Sequence, residues 1–193
     1  MREKFATLII DMQNDFVADE GVLARAGMNN ATAKQIVPRV RELVDFSRSQ
    51  AIPVIWVKMV WDTDRELGLL AERSPFLKRE GLRRGSWGAQ LVDGLEVKPG
   101  DLVVEKRRFS AFFNTRLEIL LKNLGATHLL VAGVRSDFCV ESTVRDAFFR
   151  DYDVIVVRDC VAGYFQDLHE NAIKTMGTVF SRIMDLEEVK RLL

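Results

Sequence analysis

The chain has 193 residues, 48% hydrophobic and 29% charged, a composition that suits one folded globular domain and argues against disorder or two comfortable domains. Lys+Arg and Asp+Glu are both 28, so the formal net charge is zero and no global basic field exists to hold nucleic acid or an anionic membrane. A near-neutral chain associates readily, so a homo-oligomer is expected, and the 2 cysteines, Cys139 and Cys160, are too few for a disulfide framework and point to a reducing compartment.

The start, Met1-Arg2-Glu3-Lys4 and then a short apolar strand, lacks the apolar core and cleavage site of a signal peptide. No apolar run reaches bilayer-spanning length, so a cytoplasmic location is expected. Phe5 to Ile10 reads as the first strand. Ala31 to Ser49 places Ile36, Val40, Leu43 and Val44 on one helical face, and Ile52 to Val60 reads as the second strand. Asp62 to Gly100 has weak periodicity and many charges, and is expected to form a long excursion with short helices over one edge of the site. The turn Lys98-Pro99-Gly100-Asp101 precedes a short third strand, Leu102 to Val104. A helix over Thr115 to Leu124 ends at Gly125 and leads to a strand at Leu129 to Ala132. Val140 to Phe149 and His169 to Phe180 have helical spacing and bracket a strand at Val154 to Val157. Strands that are near-continuously apolar, alternating with helices, predict an α/β fold. It is a doubly wound parallel sheet with helices on both faces, one domain over residues 1–193.

Ligands bind at the carboxyl ends of strands in such sheets. Asp11 directly follows the first strand, Lys106 follows Val103-Val104-Glu105, and Cys139 lies beyond Leu130-Val131-Ala132-Gly133-Val134 at the expected start of a helix. A helix N-terminus and a neighbouring ammonium both stabilise a thiolate, and a carboxylate can take the thiol proton and return it to a leaving nitrogen. Taken singly, each residue has a plainer role: an inert core cysteine, a capping aspartate, a solvent-exposed lysine. Their shared sheet edge is what argues for chemistry. Cys160 follows Val156-Val157-Arg158-Asp159 without a helix start and reads as structural. His128 reads as a strand-entry or surface residue and His169 as an exposed one near a helix start.

The segments around these positions resemble the isochorismatase-like cysteine hydrolases. Leu8-Ile9-Ile10-Asp11-Met12-Gln13-Asn14-Asp15-Phe16 is similar to the family's opening motif, Glu105-Lys106-Arg107-Arg108-Phe109-Ser110-Ala111-Phe112 to its lysine motif, and Ala132-Gly133-Val134-Arg135-Ser136-Asp137-Phe138-Cys139-Val140-Glu141-Ser142-Thr143 to its nucleophile motif. The resemblance implies an Asp11–Lys106–Cys139 triad and a cis peptide bond at Val134-Arg135. It also implies backbone N–H groups of Arg135 and Cys139 presented to a substrate oxyanion. Gly85 to Val92 and Phe109 to Thr115 look most like ureidoacrylate and carbamoyl amidohydrolases.

The expected activity is hydrolysis of a C–N bond in a small amide, ureido or carbamoyl substrate through a thioester, with no cofactor. Two alternatives keep the fold: an isochorismatase-type vinyl-ether hydrolase, and a catalytically idle scaffold or partner-binding protein. Nicotinamidases carry an Asp-x-His metal motif and a further His, whereas Trp56 to Asp62 holds no His, so no metal site is expected. Phe16, Trp61, Trp87, Phe109, Phe112 and Val134 are candidate pocket walls. Arg135 either binds a substrate carboxylate, with Arg107 and Arg108 as alternatives, or pairs with Asp137.

Overall fold

The apolar runs pair into a single sheet in the computed structural model, which describes residues 4–193. Met1, Arg2 and Glu3, which open the segment read as lacking a signal peptide, lie outside the described residues. Strands β1 (Phe5–Ile10), β2 (Val54–Met59), β3 (Leu102–Lys106), β4 (His128–Val134), β5 (Asp153–Ala162) and β6 (Arg182–Met184) lie in the order β3-β2-β1-β4-β5-β6. Every pairing is parallel. This is the expected doubly wound α/β sheet. Its order reverses between β1 and β4, so the crevice that such folds use for ligands opens beside the ends of those two strands. Among the described residues no helix is long and apolar enough to cross a membrane.

Burial explains the apolar runs. Leu8, Ile9 and Ile10 of β1 and Leu129, Leu130, Val131 and Ala132 of β4 are all within the core, because helices cover both faces. The β1–β4 contact is tight at Ile10↔Gly133. There Gly133 has φ +118°, and a Cβ would fall on the Ile10 carbonyl oxygen, so only glycine fits.

Several elements differ from the sequence reading. The helix expected over Ala31 to Ser49 is two, Ala31–Gln35 and Val37–Ser49, with Pro38 in the first turn of the second. Proline lacks the N–H that a continuous helix needs there, while a first turn tolerates it. Strand β5 runs to Ala162, so Cys160 lies within the strand and not after it, fully buried. Polar Arg158 and Asp159 hid that continuation: they project to partners outside the sheet, Arg158 pairing with Asp185 and Asp159 with Arg39. Strand β6 was not anticipated, since three residues carry no periodic signal. The helix expected at His169 to Phe180 starts at Gln166, ends at Thr175 and is followed by a wider π turn, Met176–Phe180.

The excursion after β2 is built from short helical pieces, Asp64–Leu67, Leu70–Arg73, Pro75–Glu80 and Trp87–Ala89. It is tied down by polar residues just after β1. Gln13 holds Met59 through both its amide groups, at 2.9 and 2.8 Å, and donates to the Ala89 carbonyl. Asn14 donates to the Trp87 carbonyl, and Asp15 accepts from the backbone of Val22 and Leu82. Gly88 permits that packing, because a Cβ there would fall on the Asp15 carboxylate.

Candidate active site

The ends of β1, β3 and β4 converge at the carboxyl edge of the sheet. Asp11 leaves β1 with φ 54°, a left-handed conformation that aspartate tolerates better than most residues. Lys106 is the last residue of β3, which runs two residues beyond the apolar run Leu102 to Val104. Cys139 sits in a π turn, Ser136–Val140, which follows β4 and precedes the helix Glu141–Phe148. The peptide between Val134 and Arg135 is cis.

The three side chains touch. The Lys106 ammonium donates to Asp11 Oδ2 at 2.7 Å and to Cys139 Sγ at 3.4 Å. Both charged side chains are wholly buried, and Cys139 is 3% exposed. Asp11 Oδ1 is buried with no hydrogen-bond partner among the described residues, which leaves it open to a thiol or substrate N–H proton. The turn around Cys139 is braced. The Arg135 carbonyl accepts from the backbone of Phe138 and Val140, and Thr143 Oγ1 donates to the Cys139 carbonyl at 2.7 Å. The same hydroxyl accepts from the Ala111 backbone, so the segment after β3 is fastened to the nucleophile turn.

Electrostatics here differ from the expected free thiolate. Burial pushes the Cys139 thiol up to about 12, against the pull of Lys106 and helped by Asp11. Desolvation outweighs the favourable turn because the sulfur is shut away from water. Burial also raises the Asp11 carboxyl above its ordinary range, although Lys106 opposes this. For Lys106, burial works against the cation, but the attraction of Asp11 and Cys139 prevails and holds its pKa above the usual value. These directions favour a neutral thiol on Cys139 beside the hydrogen-bonded Asp11–Lys106 pair. A thiol whose pKa is raised and a carboxyl that is more basic than usual suit proton transfer coupled to attack, not a standing thiolate.

The candidate wall residues divide. Val134 is buried at the end of β4, and Phe16 is buried with its carbonyl accepting from the Tyr164 hydroxyl at 2.6 Å. Trp61 is wholly buried, and its indole N–H has no partner among the described residues. Trp87 is about half exposed, and Phe109 stacks on Phe138 with centroids 5.2 Å apart. Phe112 does not line the site: its ring packs 5.9 Å from Tyr152 and lies 5.0 Å from the Arg150 guanidinium, at the opposite, amino-terminal end of β5. Arg135 takes the second of its two expected roles. Its Nε and one terminal nitrogen grip both Asp137 oxygens, at 3.1 and 2.6 Å.

His128 opens β4, the strand-entry role expected of it. His169 is not simply exposed. It is half-buried, its Nδ1 lies 2.9 Å from the buried Ser136 hydroxyl, and burial lowers its pKa. Among the described residues no group of three or more His, Cys, Asp and Glu side chains is placed to hold a metal ion. Phe138, Tyr164 and Phe165 around Arg135 were missed, as were the buried Gln13, Asn14 and Asp15 as tethers. A signal for the tethers was present: amides and a carboxylate in unbroken succession behind an apolar strand need buried partners.

Known proteins share this fold. The chain matches the isochorismatase domain over residues 5–188. The crystal structure of an isochorismatase family protein from Desulfovibrio vulgaris is 31% identical, covering 99% of this chain and 98% of that one with a TM-score of 0.90. An N-carbamoylsarcosine amidase from Thermoplasma acidophilum is 26% identical over 94% of this chain and 96% of its own, with a TM-score of 0.78. A nicotinamidase from Bacillus subtilis is 25% identical over 94% of this chain and 99% of its own, with a TM-score of 0.81. Full-length correspondence in fold, together with a family match across all but the chain's extremities, makes this protein a member of the isochorismatase-like hydrolase family, which includes amidases and nicotinamidases.

Proposed function

We propose that the protein is a cysteine-dependent amidohydrolase that cleaves a C–N bond in a small amide, ureido or carbamoyl compound. The observation that carries this is the single ammonium of Lys106 bonded at once to Asp11 and to Cys139 in a buried site. Nucleophile, base and orienting cation are thereby in mutual contact, as acyl transfer requires.

In the proposed cycle, Cys139 Sγ attacks the carbonyl carbon while its proton passes to Asp11. Lys106 stabilises the charge that develops on sulfur at the moment of attack. Backbone N–H groups of Arg135 and Cys139 hold the oxyanion. Asp11 then gives its proton to the nitrogen as the C–N bond breaks, leaving a thioester and a free amine or ammonia. Asp11, again a carboxylate, takes a proton from water, whose oxygen attacks the thioester. The acid is released and the thiol is restored. A dry site strengthens each of these interactions, because Lys106 and Asp11 are not screened by solvent.

The test is an ammonia-release screen over small ureido acids, biuret, carbamoyl amino acids, nicotinamide and maleamate, run on the wild type and Cys139→Ala. Turnover that disappears in the variant, with a thioester adduct on Cys139 detected by mass spectrometry after a rapid acid quench, is the expected result. Undiminished ammonia release in Cys139→Ala would refute Cys139 as the nucleophile.

A further inference from the structure

The arginines that flank the site are all engaged within the protein. Arg107 pairs with Asp62 at 3.0 Å and Glu66 at 3.3 Å. Arg108 donates to the carbonyls of Glu66 and Arg107. Arg135 is held bidentately by Asp137, and both side chains are nearly buried. A substrate carboxylate approaching Arg135 would meet the Asp137 carboxylate already on the same guanidinium, and the two like charges oppose each other.

Arg135 lies instead against aromatic faces. Its guanidinium carbon is 4.1 Å from the Phe138 ring centroid, 5.1 Å from Tyr164 and 5.8 Å from Phe165. Phe138 stacks in turn on Phe109, at 5.2 Å with an interplanar angle of 21°. Phe109, Phe138 and Phe165 are 36%, 40% and 48% exposed, so part of each ring faces outward. Their place is specific. Phe138 immediately precedes Cys139, and Phe109 comes shortly after Lys106. The segments that carry these residues meet through the 3.4 Å Lys106–Cys139 contact, through the stacked rings and through the Ala111–Thr143 hydrogen bond. The stacked rings are thus carried by the same two segments that bring Lys106 and Cys139 together.

We infer that this Phe109–Phe138–Arg135–Phe165 rim receives a flat or apolar, uncharged substituent on the acyl side of the substrate, and selects against a free carboxylate there. The inference rests on the amidohydrolase reading and names its substrate class. Arg135, neutralised by Asp137, acts as the plate behind the stack and not as an anion clamp. A ring laid on such a face gains about two- to tenfold in affinity beyond its buried area, and a carboxylate gains less from a guanidinium already paired with Asp137.

The test compares primary carboxamides that share one reaction, R–CO–NH2 plus water giving the acid and ammonia: benzamide and hexanamide against succinamate. Wild type should show kcat/KM for benzamide about two- to tenfold or more above succinamate. Phe138→Ala and Phe109→Ala should draw that ratio toward one, and Phe138→Tyr should keep it. A second arm does not depend on turnover. Cys139→Ala protein, with and without Phe138→Ala, is titrated calorimetrically with benzamide and succinamate. Failure to hydrolyse any amide, with benzamide bound in preference through Phe138, would sink the amidohydrolase reading and leave the rim standing. Preference for succinamate, a ratio that neither alanine variant moves, or no selective binding in the second arm would overturn the rim. So would a change in mass by light scattering in the alanine variants at an unchanged ratio, since the rings would then be covered by a second copy of the chain.

Discussion

Lys106→Met removes the cation from the centre of the site and nearly preserves its volume. At 2.7 Å from Asp11 Oδ2, the Coulomb attraction at an effective dielectric of about 20 is about 6 kcal/mol, most of which offsets the desolvation of two wholly buried charges. Breaking such a pair from one side leaves an uncompensated charge and costs about 3–5 kcal/mol, a large share of the roughly 5–15 kcal/mol that holds a domain of this kind together. The expected result in urea unfolding is a loss in that range for Lys106→Met. The double variant with Asp11→Asn should recover at least about 2 kcal/mol relative to the sum of the single losses, because it buries no charge at all. The loss should also depend on pH. Without Lys106, burial alone acts on Asp11 and raises its folded-state pKa still further. The protonated carboxyl's contribution is then fully present below the unfolded value of about 3.9 and disappears as pH rises through the raised folded value. The deficit should therefore be smaller near about pH 5 than near about pH 8. Additive single and double variants with a deficit independent of pH would refute the ion pair as the organising interaction of the site.

The two cysteines should part under a thiol reagent. Iodoacetamide should modify Cys139 slowly and with a steep rise toward alkaline pH, as burial holds that thiol near about 12, while Cys160, inside β5, should react only on unfolding; rapid labelling at neutral pH would contradict the neutral-thiol resting state. Cys139→Ser should lose nearly all turnover, since Asp11 is a weak base for a hydroxyl, whereas Cys160→Ala should leave it largely intact, a contrast read by steady-state kinetics. Gly133→Ala should cost on the order of 3 kcal/mol or prevent folding, measured as a fall in Tm, because the added methyl falls on the Ile10 carbonyl beside the catalytic edge. Activity should survive prolonged chelation, and a loss restored by added zinc would show a metal requirement that the proposed mechanism lacks.

The amino-acid sequence by itself determined the layered α/β architecture, because strands buried on both faces must be continuously apolar and helices between them must be amphipathic. Phe5 to Ile10 and the β4 run announced themselves in this way. It also placed Asp11, Lys106 and Cys139 at strand ends, since each interrupts or follows an apolar run with a reactive group. It did not show β5 continuing through Arg158 and Asp159, whose ion pairs lie with residues far along the chain. Nor did it decide between the two roles of Arg135, which turned on whether Asp137, a near neighbour in sequence, meets it in the folded turn. Phe112 had the same aromatic signal as Phe109, and only packing sent one to Tyr152 and the other to Phe138. The ionisation of Cys139 was decided last of all. A helix start and a lysine favour thiolate, but the degree to which helices and the excursion after β2 shut out water is set by the whole tertiary structure, and that desolvation outweighs both.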